Sequence, residues 1–125
     1  MKKFGFFVGF FSLITVLSAQ NQNVNLIPKP LSISVGSGVF NFDASVRMLA
    51  ETSPGILRTS HLFANQMFTS TGVSLQFDSV RHKNIRYISV LRDDSAKWCG
   101  SEGYHLVVSG NEIKIIAMTE TGIFY

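Results

Sequence analysis

Apolar residues change their spacing several times along this chain, and each change marks a predicted element. Leu31, Ile33 and Val35 alternate with Ser32 and Ser34, the period of a strand with one buried face. Gly36-Ser37-Gly38 supplies a turn and residues 39–42 a return strand, so the pattern predicts a hairpin. Residues 46–50 read as a further short extended piece. At Thr52-Ser53-Pro54 the period lengthens. Either hydroxyl can cap the free amides of a helix start, and Pro54 suits the first turn because its missing N–H costs nothing there. Ile56, Phe63 and Met67 then fall on one ridge, with Leu57, Ala64 and Phe68 on the next. The spacing predicts one amphipathic helix over residues 54–71, stopped by Gly72.

Strand periodicity returns afterwards. Val73, Leu75 and Phe77 alternate, residues 85–91 are rich in β-formers, and Asp93-Asp94-Ser95 breaks that run. Residues 104–109 and 112–118 flank Gly110-Asn111, a dipeptide whose tolerance of positive φ favours a two-residue hairpin loop. The order is strand pair, helix, strands, hairpin. With one helix among several strands, it predicts an α+β fold, an antiparallel sheet with one helix packed on one face.

The first residues stand apart from this pattern. Lys2 and Lys3 are followed by an almost wholly apolar run over residues 4–17, then by Ser18-Ala19 and the polar Gln20-Asn21-Gln22-Asn23. That succession reads as a secretory signal peptide over residues 1–19, with residues 20–125 as the mature domain and a secreted or periplasmic destination. The apolar run falls short of the roughly 20 residues that cross a bilayer. An uncleaved anchor is the alternative, because Leu17 fits the small-residue cleavage pattern poorly. No Cys adjoins the cleavage point, which argues against lipid modification.

Charge changes the picture little once the leader is set aside. The formal net charge of +3 includes Lys2 and Lys3, so the mature domain is nearly neutral and gives no electrostatic case for nucleic acid or an anionic membrane. Arg81, Lys83 and Arg86 form a small basic group that reads as a solvated surface. Cys99 is the single cysteine, so no internal disulfide forms and the framework is a packed core.

Candidate chemistry is sparse. His61, His82 and His105 stand far apart, with no Cys or carboxylate at a metal-ligand spacing. Asp93 and Asp94 are neighbours, and strand neighbours point to opposite faces, so they suit a turn better than an acid–base pair. No flanking motif supports Cys99 as a thiol nucleophile. Trp98 and Tyr104 are of the type that stacks on sugar rings, against the alternative of partly buried packing. No catalytic, cofactor-binding or metal-binding residue is assigned, and no cofactor is implied.

The run from Gly100 to Tyr125 resembles the end of the N-terminal, non-catalytic domain of family-20 glycoside hydrolases, the β-N-acetylhexosaminidases. The matching positions are Glu102, Gly103, Tyr104, Ile113, Ile115, Ala117, Gly122, Phe124 and Tyr125. Asn25-Leu26-Ile27-Pro28-Lys29-Pro30 is similar to the Ile-Pro-x-Pro entry of the same domain, so the resemblance spans about residues 25–125. It implies an accessory domain of a secreted enzyme that releases terminal N-acetylglucosamine or N-acetylgalactosamine from glycans or chitin-like oligomers. Catalysis would lie in a TIM barrel of on the order of 250 residues, absent here. There a Glu would protonate the glycosidic oxygen while the 2-acetamido group of the substrate attacks. The resemblance places a second helix just beyond Phe124-Tyr125, makes the domain incomplete at its C-terminus, and makes the barrel its partner, with no nucleic acid and, after signal cleavage, no membrane. A family-84-type N-terminal domain and a stand-alone exported binding or structural module are the alternatives.

Overall fold

In a computed structural model of the chain, residues 29–125 are described. The signal segment, the polar leader and the Ile27-Pro28 entry lie outside them. Two compact units divide the chain, residues 1–36 and 37–125. The described part of the first unit forms no strand, and Leu31, Ile33 and Val35 are all exposed. The predicted hairpin is therefore not made. Alternation forms a strand only where a partner supplies backbone hydrogen bonds, and Pro30 removes one donor at the outset.

The second unit carries the fold. Residues 39–42 form no strand either, yet Phe40 and Phe42 pack against the core, so the alternation there records two inward phenylalanines. Strand β1 (Arg47–Ala50) leads through Ser53 into helix α1 (Pro54–Thr71). Ser53 is extended and its Oγ accepts from the Ile56 amide at 3.4 Å. Gly72 ends the helix in the left-handed region, at φ 74°, its N–H donating to the Phe68 carbonyl at 2.8 Å. Beyond come β2 (Gln76–Asp78), β3 (Tyr87–Arg92), one 3-10 turn (Lys97–Cys99), β4 (Tyr104–Val108), β5 (Glu112–Ala117) and α2 (Glu120–Phe124).

The class is α+β, as the pattern predicts, but the sheet is mixed rather than antiparallel. Its order is β2-β1-β3-β5-β4, with β1–β2, β1–β3 and β3–β5 parallel and β4–β5 antiparallel. The physical reason is connection length. Helix α1 is a crossover that carries the chain back before β2, which makes β1 and β2 parallel; a tight turn would have made them antiparallel. The Gly110-Asn111 turn reverses the chain once, so β5 runs with β3 and enters between β3 and β4.

That turn also differs from expectation. The left-handed residues among those described are Gly72, Asn84 and Gly100, and neither Gly110 nor Asn111 is one of them. Ser109 closes the turn instead: its amide donates to the Glu112 carbonyl at 2.8 Å, and its Oγ accepts from the Glu112 amide at 3.1 Å.

Helix α1 packs on one face of the sheet, as predicted. Ile56 and Ala64 meet Met48 of β1 and Ile88 and Val90 of β3, with Phe63 and Met67 at the margin. Ser60 takes the middle of that buried stripe. A second, short helix that the pattern did not predict, α2, is present within the chain. The signal for it is local: Thr119 Oγ1 accepts from the Gly122 amide at 3.1 Å, an N-cap followed directly by acidic Glu120. Ser53 Oγ of the α1 cap donates to Glu120 Oε1 at 3.0 Å, which ties the two helix starts together.

Candidate functional site

The sheet face that carries α1 is only partly covered. Beside the helix runs a groove of about 520 Å³, floored by Ile88, Val90, Leu106, Ile113 and Ile115, walled by Ser60 and Phe63, and ended by Tyr104, Ile123 and Tyr125. The register explains the floor: Ile88 pairs with Ile113, Val90 with Ile115, and Leu106 with Ile115, so one side-chain parity of three strands lines up. No carboxylate or histidine lines it, and what the groove mainly offers is apolar contact. Ser60 Oγ at its wall is buried without a hydrogen-bond partner.

The two motif segments of the sequence meet at one end of this groove. A Cβ on Gly122 would stand 2.5 Å from the Gly103 carbonyl oxygen and 2.9 Å from the Ala117 Cβ. A Cβ on Gly103 would stand 2.0 Å from the Cys99 carbonyl oxygen. Both glycines are thus present for close backbone approach, not for unusual φ. They seat α2 against the loop before β4, where Thr119 Oγ1 also donates to the Ser101 carbonyl.

The opposite face is polar and linked. Arg47, Tyr87 and Glu112 share one row of the register, and Asp78 and Ser89 the next row on that side. Tyr87 is fully buried; its hydroxyl donates to Asp78 Oδ2 at 2.8 Å and accepts from the His82 amide at 3.0 Å. Arg47 Nη1 bonds Asp78 Oδ1 at 2.9 Å. Arg81 lies over the Tyr87 ring, 4.9 Å from its centroid, and bonds Ser89 Oγ and Glu112. The Tyr87 hydroxyl, followed by Arg47, holds the Asp78 carboxyl below the usual carboxylate range.

Removing that hydroxyl has a signed pH consequence. Asp78 is stabilised when ionised, so its contribution is present above the ordinary carboxyl pKa and is lost as pH falls through the lowered folded value. Tyr87→Phe is expected to cost about 1–3 kcal/mol at neutral pH, since a charge-assisted hydrogen bond is lost and the His82 amide loses its partner. The deficit shrinks in acid. Urea titrations at pH 7 and pH 3 check this, and a deficit that grows on acidification contradicts it.

The other candidates from the sequence are dispersed. His61 stacks on Phe77 with ring centroids 4.3 Å apart, His82 serves through its backbone, and His105 meets Trp98 edge-on at 5.2 Å. Among the described residues no three His, Cys, Asp or Glu side chains stand close enough together to hold a metal. Asp93 accepts from the Ser95 amide and hydroxyl in a turn, which together hold its carboxyl below the usual range. Asp94 reaches Arg92 at 3.6 Å. Burial pushes the Cys99 thiol up, away from the thiolate that a nucleophile needs. The basic group is divided by ion pairs, Arg81 with Glu112 and Arg86 with Asp43. Sequence reasoning missed the groove, which is assembled from α1, β3, β4 and β5, and the Tyr87–Asp78 link, which spans β1 to join β2 with β3.

Comparison with known proteins follows the same ground. A family profile described as "Glycosyl hydrolase family 20, domain 2" matches residues 23–125. Among solved structures, the GH20 β-N-acetylhexosaminidase from Streptomyces coelicolor A3(2) superposes with a TM-score of 0.63 at 22% identity, covering 78% of this chain and 19% of that one. The Streptomyces plicatus N-acetyl-β-hexosaminidase, solved in complex with Thio-NAglucal, gives 0.66 at 21% identity, covering 79% of this chain and 19% of that one. These likenesses are of fold, and this chain spans about a fifth of the length of those proteins. No match was found among curated proteins.

Proposed function

Since the chain belongs to domain 2 of glycosyl hydrolase family 20, we propose that it is the non-catalytic accessory domain of an exported β-N-acetylhexosaminidase. The observation that carries this reading is the family match over residues 23–125, essentially all of the chain beyond the predicted signal peptide. The groove supports it, because a largely apolar trough without a carboxylate suits domain packing better than sugar hydrolysis. On this reading a catalytic barrel elsewhere in the whole protein removes terminal N-acetylglucosamine or N-acetylgalactosamine from glycans or chitin-like oligomers. The groove is then a packing surface within that whole protein. Residues 1–19 direct export and are removed, leaving Gln20 first.

The test compares two proteins with a chromogenic N-acetyl-β-glucosaminide. The exported whole protein, its N-terminus fixed by intact mass, is expected to turn the substrate over, and the 125-residue chain alone is not. The chain alone should also take up a hydrophobic dye that the whole protein excludes. Turnover by the isolated chain that an Asp or Glu substitution within it abolishes would overturn the accessory role. A whole protein inert toward hexosaminides would remove the enzymatic assignment.

A further inference from the structure

The two edges of the sheet are treated differently. Edge strands offer unpaired N–H and C=O groups to any passing strand, and soluble proteins blunt them with short length, charge, proline or a bulge. The β2 edge is blunted: it has 3 residues and ends in Asp78, whose carboxylate binds Arg47 and Tyr87. The β4 edge is not. All 5 of its residues, Tyr104–Val108, are exposed, none is a proline, lysine or carboxylate, and its register with β5 runs unbroken from Tyr104 to Val108, without a bulge. Among the described residues no strand lies beyond it.

The register shows which groups stand free. Ser109 N–H donates to the Glu112 carbonyl, so in the alternation of an antiparallel ladder His105 and Val107 also turn their backbone groups toward β5. Tyr104, Leu106 and Val108 turn theirs outward. Such a row is completed by another extended strand. The side chains say which strand. Val90, Ile115 and Leu106 form one row across the groove floor. An antiparallel copy of β4, with Leu106 on the two-fold axis, sets Leu106 against Leu106 and continues that row into its own mirror order. Tyr104 then faces Val108, and His105 faces Val107. No charged side chain of β4 meets its like, and every outward N–H finds a carbonyl, as a self-complementary two-fold interface requires. We propose that β4 is a homodimerisation edge, through which two copies of this chain form one continuous sheet with both α1 helices on the same face. A strand pair of this length is a small interface, below about 1,200 Å² in total, so the dimer forms reversibly with concentration.

Cross-linking tests the register. In the 125-residue chain carrying Cys99→Ser, Leu106→Cys is expected to form a disulfide-linked dimer on mild oxidation, because hydrogen-bonded partners lie about 5.5 Å apart at Cα, within the span of about 4.4–6.8 Å that a disulfide bridges. Tyr104→Cys or Val108→Cys alone should stay monomeric, each residue being displaced from its own counterpart by about 13 Å along the strand. Mixed together, those two variants should link to each other, as read by intact mass. Sedimentation of the unaltered chain should show a monomer–dimer equilibrium. Leu106→Lys, at a side chain 45% exposed, sets two ammonium groups face to face and should weaken that equilibrium about tenfold or more with an unchanged circular dichroism spectrum. If that variant loses its fold, the cross-linking pattern decides by itself. Equal linking of all three single variants would mean unspecific association through the apolar groove. That result, an unlinked Leu106→Cys, or a dimer that a folded Leu106→Lys leaves intact overturns the proposal.

Discussion

Replacing Ile56 with alanine is expected to cost about 2–5 kcal/mol, the range for removing most of a buried aliphatic side chain and leaving a partly unfilled cavity. Ile56 is fully buried in the first turn of α1, in the cluster that joins Met48, Ile88, Val90, Ala117 and Ile123. It therefore links the helix, the central strands and α2 at one point. A domain of this size is stable by about 5–15 kcal/mol in all, so the loss is a large share of the total. Leu62, on the same helix but more than half exposed, is the control, and Leu62→Ala should change stability by no more than about 0.5 kcal/mol. Urea titrations of both variants check the pair. Equal losses would mean that α1 does not bury its Ile56 face against the sheet.

Gly103→Ala is expected to destabilise the chain by about 1–3 kcal/mol or more, through overpacking rather than through a cavity. The added Cβ would lie 2.0 Å from the Cys99 carbonyl oxygen, a backbone atom with no rotamer by which to withdraw. Relief requires the loop to shift, and that loop also receives Gly122 of α2 and the Thr119 hydroxyl. Gly110→Ala provides the contrast, because a Cβ there meets only the Val39 carbonyl oxygen at 3.8 Å, an ordinary contact. Thermal melts of the two variants should separate clearly. If Gly103→Ala melts with Gly110→Ala, the close approach of the motif segments is not a constraint on the fold.

Several features were legible in the residues themselves. Helix α1 was readable from Ser53 to Gly72, because caps, proline placement and the apolar stripe are all encoded within a few turns of one another. The β4–β5 hairpin was legible for the same reason, its strands being separated by three residues only. The family resemblance drew on Glu102-Gly103-Tyr104 and on Gly122, Phe124 and Tyr125, again short local strings. Even α2, which the pattern did not predict, had its local signal in Thr119 and Glu120.

Tertiary structure decided the rest, because it depends on partners that periodicity does not name. Alternation at Leu31, Ile33 and Val35 was as clear as any in the chain, yet no strand forms there, since a strand exists only where a neighbour supplies its hydrogen bonds. The parallel order β2-β1-β3-β5 follows from how α1 and the β4–β5 turn route the chain, which no window of residues contains. The Tyr87–Asp78 bond, the meeting of Gly103 with Gly122 and the groove floor each join positions that only the sheet brings together. The sequence by itself thus determined what local hydrogen bonding and side-chain spacing can encode. Which strands became neighbours, and with them every candidate site, was decided by long-range packing.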